Sequence, residues 1–252
     1  TDITALTKNY FELPIPALDP SIHKEEVKHF SNPSFLGCRL VFLDGYYRPD
    51  LSTDAAPPAG LTLSNIEQSL RFMPELVSKS LASYADFQTE PFTALNTALF
   101  QDGAVVHFSK AYQQDQPVEL LFLSGQQGTS VVSHPRILIL AEEGSNATVL
   151  ETYAGLSDEQ YFTNSVAEVF VGPGAHLRHY RIQNHSPRSF HIGTTHVEQR
   201  ADSTFSSFSL DVGGNLVRNN LNICMSGEGS SCTLSGLYLA GRNQHVDNQI
   251  SL

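Results

Sequence analysis

The sequence predicts a mainly β protein: a parallel β-helix with two strands per coil of about 28 residues, entered through a small N-terminal helical and hairpin region. Three observations carry this expectation. Turn-like clusters recur at Glu142-Glu143-Gly144-Ser145-Asn146, Gly172-Pro173-Gly174, Arg200-Ala201-Asp202-Ser203 and Gly227-Glu228-Gly229-Ser230, each followed by an alternating strand. The third residues of those strands, Val149, Leu177, Phe205 and Leu234, are spaced by 28, 28 and 29. A second set of turns falls midway, at Gly155-Leu156-Ser157-Asp158, His185-Ser186-Pro187, Gly213-Gly214-Asn215 and Gly241-Arg242-Asn243. Two strands and two turns at a fixed period describe a solenoid, in which one coil buries its apolar face only against the next. An antiparallel sandwich or cupin barrel also spaces short strands closely, but gives no reason for a 28-residue register.

The elements follow in order. Residues 1–60 are loop-rich, punctuated by Pro14, Pro16, Pro20, Pro33, Pro49, Pro57 and Pro58. Within them Arg39-Leu40-Val41-Phe42-Leu43 runs into Asp44-Gly45 and Tyr46-Tyr47, a tight hairpin because Asp-Gly supplies positive φ. Residues 61–100 read as helical. Ser64 and Glu67 form a capping box before Ile66, Leu70 and Met73. Pro74 opens a second helix through Leu76, Val77 and Leu81, and Phe92–Phe100 reads as a third, stopped near Asp102-Gly103. All three are expected to serve packing. Residues 1–103 thus form an N-terminal loop, hairpin and helical region, and residues 104–252 the β-helix domain. Stepping back 28 from Val149 reaches Leu121, so the repeat extends upstream into Val118–Leu123. At the other end the chain stops inside His245–Leu252, before a turn due near residue 257. The sequence therefore reads as a solenoid cut at its C-terminal end, expected to self-associate there or to fray.

Composition limits the function. Fifteen Lys+Arg against 26 Asp+Glu give a net charge of −11, without the basic footprint of a nucleic-acid binder or of a membrane-surface protein. No apolar run approaches the ~20 residues that span a bilayer. The first residues lack a signal-peptide pattern. Cys38, Cys224 and Cys232 are odd in number and irregularly spaced, which fits a reducing, cytoplasmic setting better than a disulfide framework.

Certain strings resemble the SufB/SufD family of iron–sulfur cluster assembly scaffold proteins, on its SufD side. They are Leu40-Val41-Phe42-Leu43-Asp44-Gly45-Tyr46-Tyr47, Phe92 to Gly103, and Asp211-Val212-Gly213-Gly214-Asn215-Leu216-Val217-Arg218-Asn219, with further likeness around Glu142–Ser145 and Tyr161–Asn164. The likeness covers nearly the whole chain in order. It implies an N-terminal helical region, a right-handed parallel β-helix and a C-terminal helical domain. It further implies a non-catalytic scaffold that pairs with a SufB-like subunit through the β-helix and docks the ATPase SufC through the C-terminal domain, which is missing here. SufC motion would rearrange the interface where a nascent cluster forms. The location implied is the cytoplasm, or the plastid stroma in a photosynthetic eukaryote. The family's late Cys-Ser-His string does not occur in this chain, so no cluster-related residue is carried over.

The residues themselves offer two metal readings. His176, His179, His185, His191 and His196 lie close together in sequence. The first two are three apart on a strand and the last two five apart, so each pair divides between opposite faces. The cupin His-x-His with a following Glu is missing, and the group is expected to be polar solenoid surface. A rival function is nonetheless a metal-dependent, cupin-like enzyme built on these strands. The second reading is a column of Glu168, His196 and Cys224, spaced 28 and 28, whose donors suit a soft or borderline metal. Their neighbours Ala167, Val169, Thr195, Val197, Ile223 and Met225 have the inward parity, so the column faces outward and is expected to be an inert ladder. Gly172-Pro173-Gly174 lacks the Lys of a phosphate loop, and no Ser lies in a nucleophile elbow. No catalytic, cofactor-binding or metal residue is assigned.

Overall fold

A computed structural model describes residues 2–16, 22, 24–30, 35–125, 130–241 and 243–252. Pro20, Pro33 and Arg242 lie outside the described residues. The fold is a β-solenoid of about five turns with short N-terminal helices, as the periodicity predicts.

The helices are α1 (Thr4–Thr7), α2 (Lys24–Val27), a 3-10 turn at Lys28–Phe30, α3 (Ile66–Phe72), α4 (Pro74–Ser80) and α5 (Pro91–Leu99). The strands are β1 (Cys38–Leu43), β2 (Tyr46–Tyr47), β3 (Leu61–Asn65), β4 (Gly103–Phe108), β5 (Val118–Ser124), β6 (Val132–Ser133), β7 (Arg136–Ala141) and β8 (Asn146–Gly155). They continue with β9 (Phe162–Val171), β10 (His176–Asn184), β11 (Phe190–Gln199), β12 (Thr204–Asp211), β13 (Leu216–Met225), β14 (Ser231–Tyr238) and β15 (His245–Ser251). One sheet runs β14-β12-β10-β8-β5-β1-β2 and the other β15-β13-β11-β9-β7-β4-β3, with β6 beside β9. From β7 onward successive strands alternate between the sheets, and within each sheet the coils pair in parallel. Only β1–β2 and β3–β4 pair antiparallel among these strands. The β1–β2 hairpin turns through Asp44 (φ 46°) and Gly45 (φ 87°), the two positive φ values its sequence announces.

The core fills the lumen between the sheets. Val118, Leu120, Phe122, Val149, Leu177, Phe205, Val169, Val197 and Ile223 all belong to it, and the rings of Phe42, Phe122 and Tyr153 stack at 5.0 Å steps. Outside, Ile66 and Val77 of the α3–α5 layer pack on Val105, Leu138 and Leu140 of the second sheet. Val27 and Leu51 cover Val41, Leu43, Leu121 and Leu123 of the first.

Three details depart from the sequence reading. Val149, Leu177, Phe205 and Leu234 all contact the core but do not form one column. Leu177 pairs with Phe205, whereas Val149 pairs with His179 and Leu234 with Ser207; the column is Ala147, Leu177, Phe205, Cys232. The coil lengths differ, since Asn146 pairs with His176 thirty residues on and Thr204 with Ser231 twenty-seven on. Those slips amount to two residues against the assumed steps, so the inward parity survives. Upstream the slip is three: Val118, not Leu121, pairs with Val149, and Leu121 faces the N-terminal cover. Finally, Ser64 is not the cap of α3. Leu61–Asn65 is a strand paired to β4, so the helix starts one residue later, with Asn65 Oδ1 accepting from Gln68 N at 3.2 Å.

Candidate functional site

The polar chemistry of this chain lies on two faces of the solenoid: beneath the α3–α5 layer and inside the lumen. On the first face the Glu168–His196–Cys224 column is broken by register. Glu168 pairs with His196 as the spacing requires, but His196 pairs with Asn222, and Cys224 lies opposite Glu198. The cause is a shorter coil: Phe190 pairs with Leu216, twenty-six residues on. The outward parity is right, yet outward here does not mean solvent. Glu168 is wholly buried and accepts from the backbone N–H groups of Ala82 (2.7 Å), Tyr84 (2.8 Å) and Ala85 (3.0 Å), and from Arg136 Nε (3.1 Å). Arg136 in turn donates to Asn96 Oδ1 and Thr97 Oγ1. His196 Nε2 meets Glu90 Oε2 at 3.1 Å, and Asn222 donates to Glu90 Oε1 at 2.9 Å. These contacts clamp the helical layer to the sheet; they do not converge on a common point. Among the described residues no three His, Cys, Asp or Glu side chains are grouped to hold a metal ion.

The histidines also divide, but not as a polar surface. His176 is exposed, while His179, His185 and His191 are buried in the lumen. His179 shares the inward parity of Leu177, and its imidazole lies 2.8 Å from Glu151 Oε1 on the coil below. Burial raises the proton affinity of the Glu151 carboxyl; the His179 imidazole and the Tyr153 hydroxyl, which donates at 3.0 Å, outweigh it and leave the carboxyl below its usual range. Arg181, two residues on, donates to Asp211 Oδ1 (2.9 Å) and Asn219 Oδ1 (2.6 Å). Asn219 donates to Asp211 Oδ2 at 3.0 Å and to Asn248 at 2.7 Å, so the network spans both sheets and several coils. Beside it is a cavity of about 270 Å³, lined by Glu151, Tyr153, His179, Arg181, Asn219 and Leu234 among others.

Sequence reasoning missed this lumen network, although a signal was present. Glu151 and Tyr153 share the parity of Val149, and His179, Arg181 and Gln183 that of Leu177, so a solenoid with Val149 and Leu177 inside must place them inside too. The cupin arrangement is not assembled: the strands belong to parallel coils, and although the His185 and His191 rings lie 5.2 Å apart, no three of the five histidines are grouped to hold a metal among the described residues.

Two family profiles match the chain. Residues 122–252 match the family described as SUF system FeS cluster assembly, SufBD core domain, and residues 1–120 the SufBD protein N-terminal region. An iron–sulfur cluster assembly SufBD family protein of Synechocystis sp. is 30% identical over 231 residues, 88% of this chain and 51% of the relative. The iron–sulfur cluster assembly protein SufD of Escherichia coli is 29% identical over 213 residues, 84% of this chain and 48% of the relative. A protein named ABCI7, chloroplastic, of Arabidopsis thaliana is 30% identical over 162 residues, 62% of this chain and 34% of the relative. The chain thus spans about half the length of the first two relatives. With both profiles in chain order on a β-solenoid, it belongs to the SufB/SufD family of the SUF system of iron–sulfur cluster assembly.

Proposed function

We propose that this chain is a non-catalytic scaffold and interaction subunit of iron–sulfur cluster assembly, SufD-like, that pairs with a SufB-like subunit through its β-helix. In the full-length protein it engages the SufC ATPase through a C-terminal domain. One observation carries this reading: the charged side chains of the lumen are spent on one another. Glu151 accepts from Tyr153 and meets His179, and Arg181 is held by Asp211 and Asn219, so these groups fasten coil to coil instead of meeting a substrate. A rigid stack of parallel coils offers repeated edges and faces to a similar partner, which suits a scaffold. The same reading puts the protein in the cytoplasm or the plastid stroma; among the described residues no helix is long and apolar enough to cross a membrane. Affinity purification of the full-length protein from its own cells is the test. SufB- and SufC-like proteins co-purifying in stable ratio are the expected result; purification without either overturns the reading.

A further inference from the structure

At one end of the lumen, hydrogen-bond donors outnumber acceptors. Gln183 and His191 are completely buried and His185 nearly so. The rings of His185 and His191 lie 5.2 Å apart, and both pack edge-on against Tyr153. Four of their polar atoms have no hydrogen-bond partner among the described residues: Gln183 Nε2, both ring nitrogens of His185, and His191 Nδ1.

The neighbours fix what these atoms are. Arg181 Nη1 only donates and lies 3.4 Å from His191 Nε2, so that nitrogen accepts and the His191 proton sits on Nδ1. Gln183 Oε1 accepts from Gly213 N at 3.2 Å, which leaves its amide N–H groups as the unpaired ones. Neutral His185 adds one donor and one acceptor. Three donor nitrogens and one acceptor nitrogen, all buried, therefore face an unmet demand. The carboxylates of the lumen are committed elsewhere, Asp211 to Arg181 and Asn219, and Glu151 to His179 and Tyr153. The cavity adjoins this end of the lumen, since its wall includes Tyr153, which packs on both His185 and His191, and Arg181, which meets His191. A Cβ at Gly193, on that wall, would stand 3.0 Å from His191 Nε2 and 3.4 Å from Asn219 Oδ1, so glycine leaves room beside the His191 ring.

We propose that this closed end of the lumen binds one small inorganic anion, of halide size, on the donors of Gln183, His185 and His191 beside the Arg181 guanidinium. Water is the rival guest, accepting from two donors and donating to the remaining His185 nitrogen. The anion is favoured by the donor excess, by the guanidinium, and because proton uptake at His185 turns the single acceptor into a fourth donor. The titratable and charged groups around His185 are Tyr153 from β8, Tyr161 from the β8–β9 connection, Arg181 from β10, and His191 from β11, with Asp211 of β12 behind Arg181. Of these Arg181 opposes that proton, and a bound anion offsets it, so uptake strengthens towards lower pH.

The probe is bromide, applied to the full-length protein. Crystals grown in sodium bromide are expected to show an anomalous peak beside the His185 and His191 rings, within hydrogen-bond reach of Gln183 Nε2 and His191 Nδ1. At a bromide concentration about a hundredfold above its dissociation constant, the melting temperature is expected to rise by roughly 5–10 °C over sodium gluconate of equal ionic strength. The rise is expected to grow as pH falls towards about 4, and to vanish in Gln183→Leu and His185→Phe. A water without anomalous signal at that position, or equal melting in the two salts, overturns the proposal. Should both variants fail to fold, the anomalous signal of the unaltered protein decides alone.

Discussion

Arg136 of β7 and Glu168 of β9 form an ion pair between neighbouring coils with both side chains almost completely buried. The same carboxylate holds the Ala82–Ala85 segment by three backbone N–H groups, so one side chain joins coil to coil and coil to cover. Removing one member of such a pair strands the other charge. Glu168→Gln is expected to cost about 3–5 kcal/mol in urea unfolding and to open the segment around residue 82 to proteolysis. The exposed Arg71–Glu67 pair on α3 is the contrast, and Glu67→Gln is expected to cost less than about 1 kcal/mol. Equal urea midpoints for the two variants would refute the clamp.

The lumen makes the fold acid-sensitive. Burial, and then the Arg181 charge, hold the His185 imidazole down to about 3 against an ordinary 6.5. The unfolded chain therefore binds a proton through that window that the folded chain refuses, and stability falls as pH drops from about 6.5 towards 3. The slope is about 1.4 kcal/mol per pH unit for each such group. His191, held down by burial, His185 and Arg181, adds loss of the same sign. Glu151 acts in the same direction: its folded value lies below the ordinary one, so its contribution is present above the ordinary carboxylate pKa and lost as pH falls through the folded value. Urea unfolding between about pH 7 and pH 4, in the absence of halide, is expected to show this slope and to show it reduced in His185→Phe. A stability independent of pH over that range would contradict the burial of neutral imidazoles.

Cys224 belongs to Glu198 and not to a metal column. The Glu198 hydrogen bond, and then its charge, raise the thiol above its ordinary pKa, which lowers the thiolate fraction. Alkylation of Cys224 by iodoacetamide near pH 8 is therefore expected to be slower than that of a free cysteine and to speed up in Glu198→Gln. Cys224→Ser is expected to leave the zinc and iron content of the purified full-length protein unchanged. Reduced metal content with an intact fold would restore the column.

How much of this was legible in the sequence follows from which quantities a spacing encodes. Parity is local: alternation along one strand places Leu177 and Phe205 inside whatever the neighbouring coils do. Register is not local, because it sums every residue between two strands, and the turns here absorb different numbers of them. Hence Glu168 and His196 met as their 28-residue spacing required, while Cys224 slipped two positions past its place. The strand at Leu61–Asn65 was hidden for a related reason. Its partner Gly103–Phe108 lies some forty residues on, beyond the reach of a capping pattern at Ser64. The lumen network was hidden by composition: Glu, His and Arg read as surface residues, and only their pairing across coils makes their burial tolerable.

The register can be tested directly at Phe205 and Leu234. A constant 28-residue coil puts both in one buried column, where an introduced carboxylate would harm each alike. In the observed register Phe205 is fully buried between Leu177 and Cys232, with no polar neighbour in that column. Leu234 instead pairs with Ser207, is partly exposed, and lines the cavity that Arg181 and His179 also line. Phe205→Asp loses the ring contacts, the stack on His179 included, and buries a charge in an apolar column, so it is expected to cost at least about 4 kcal/mol and to fold poorly. Leu234→Asp gives up part of one apolar side chain and sets its carboxylate where water and cations are close, an expected cost of about 1–2 kcal/mol. Thermal melting of both variants in the full-length protein separates the two registers. Similar losses at the two positions would favour the constant coil, and a difference of several degrees, with Phe205→Asp the lower, the stepped one.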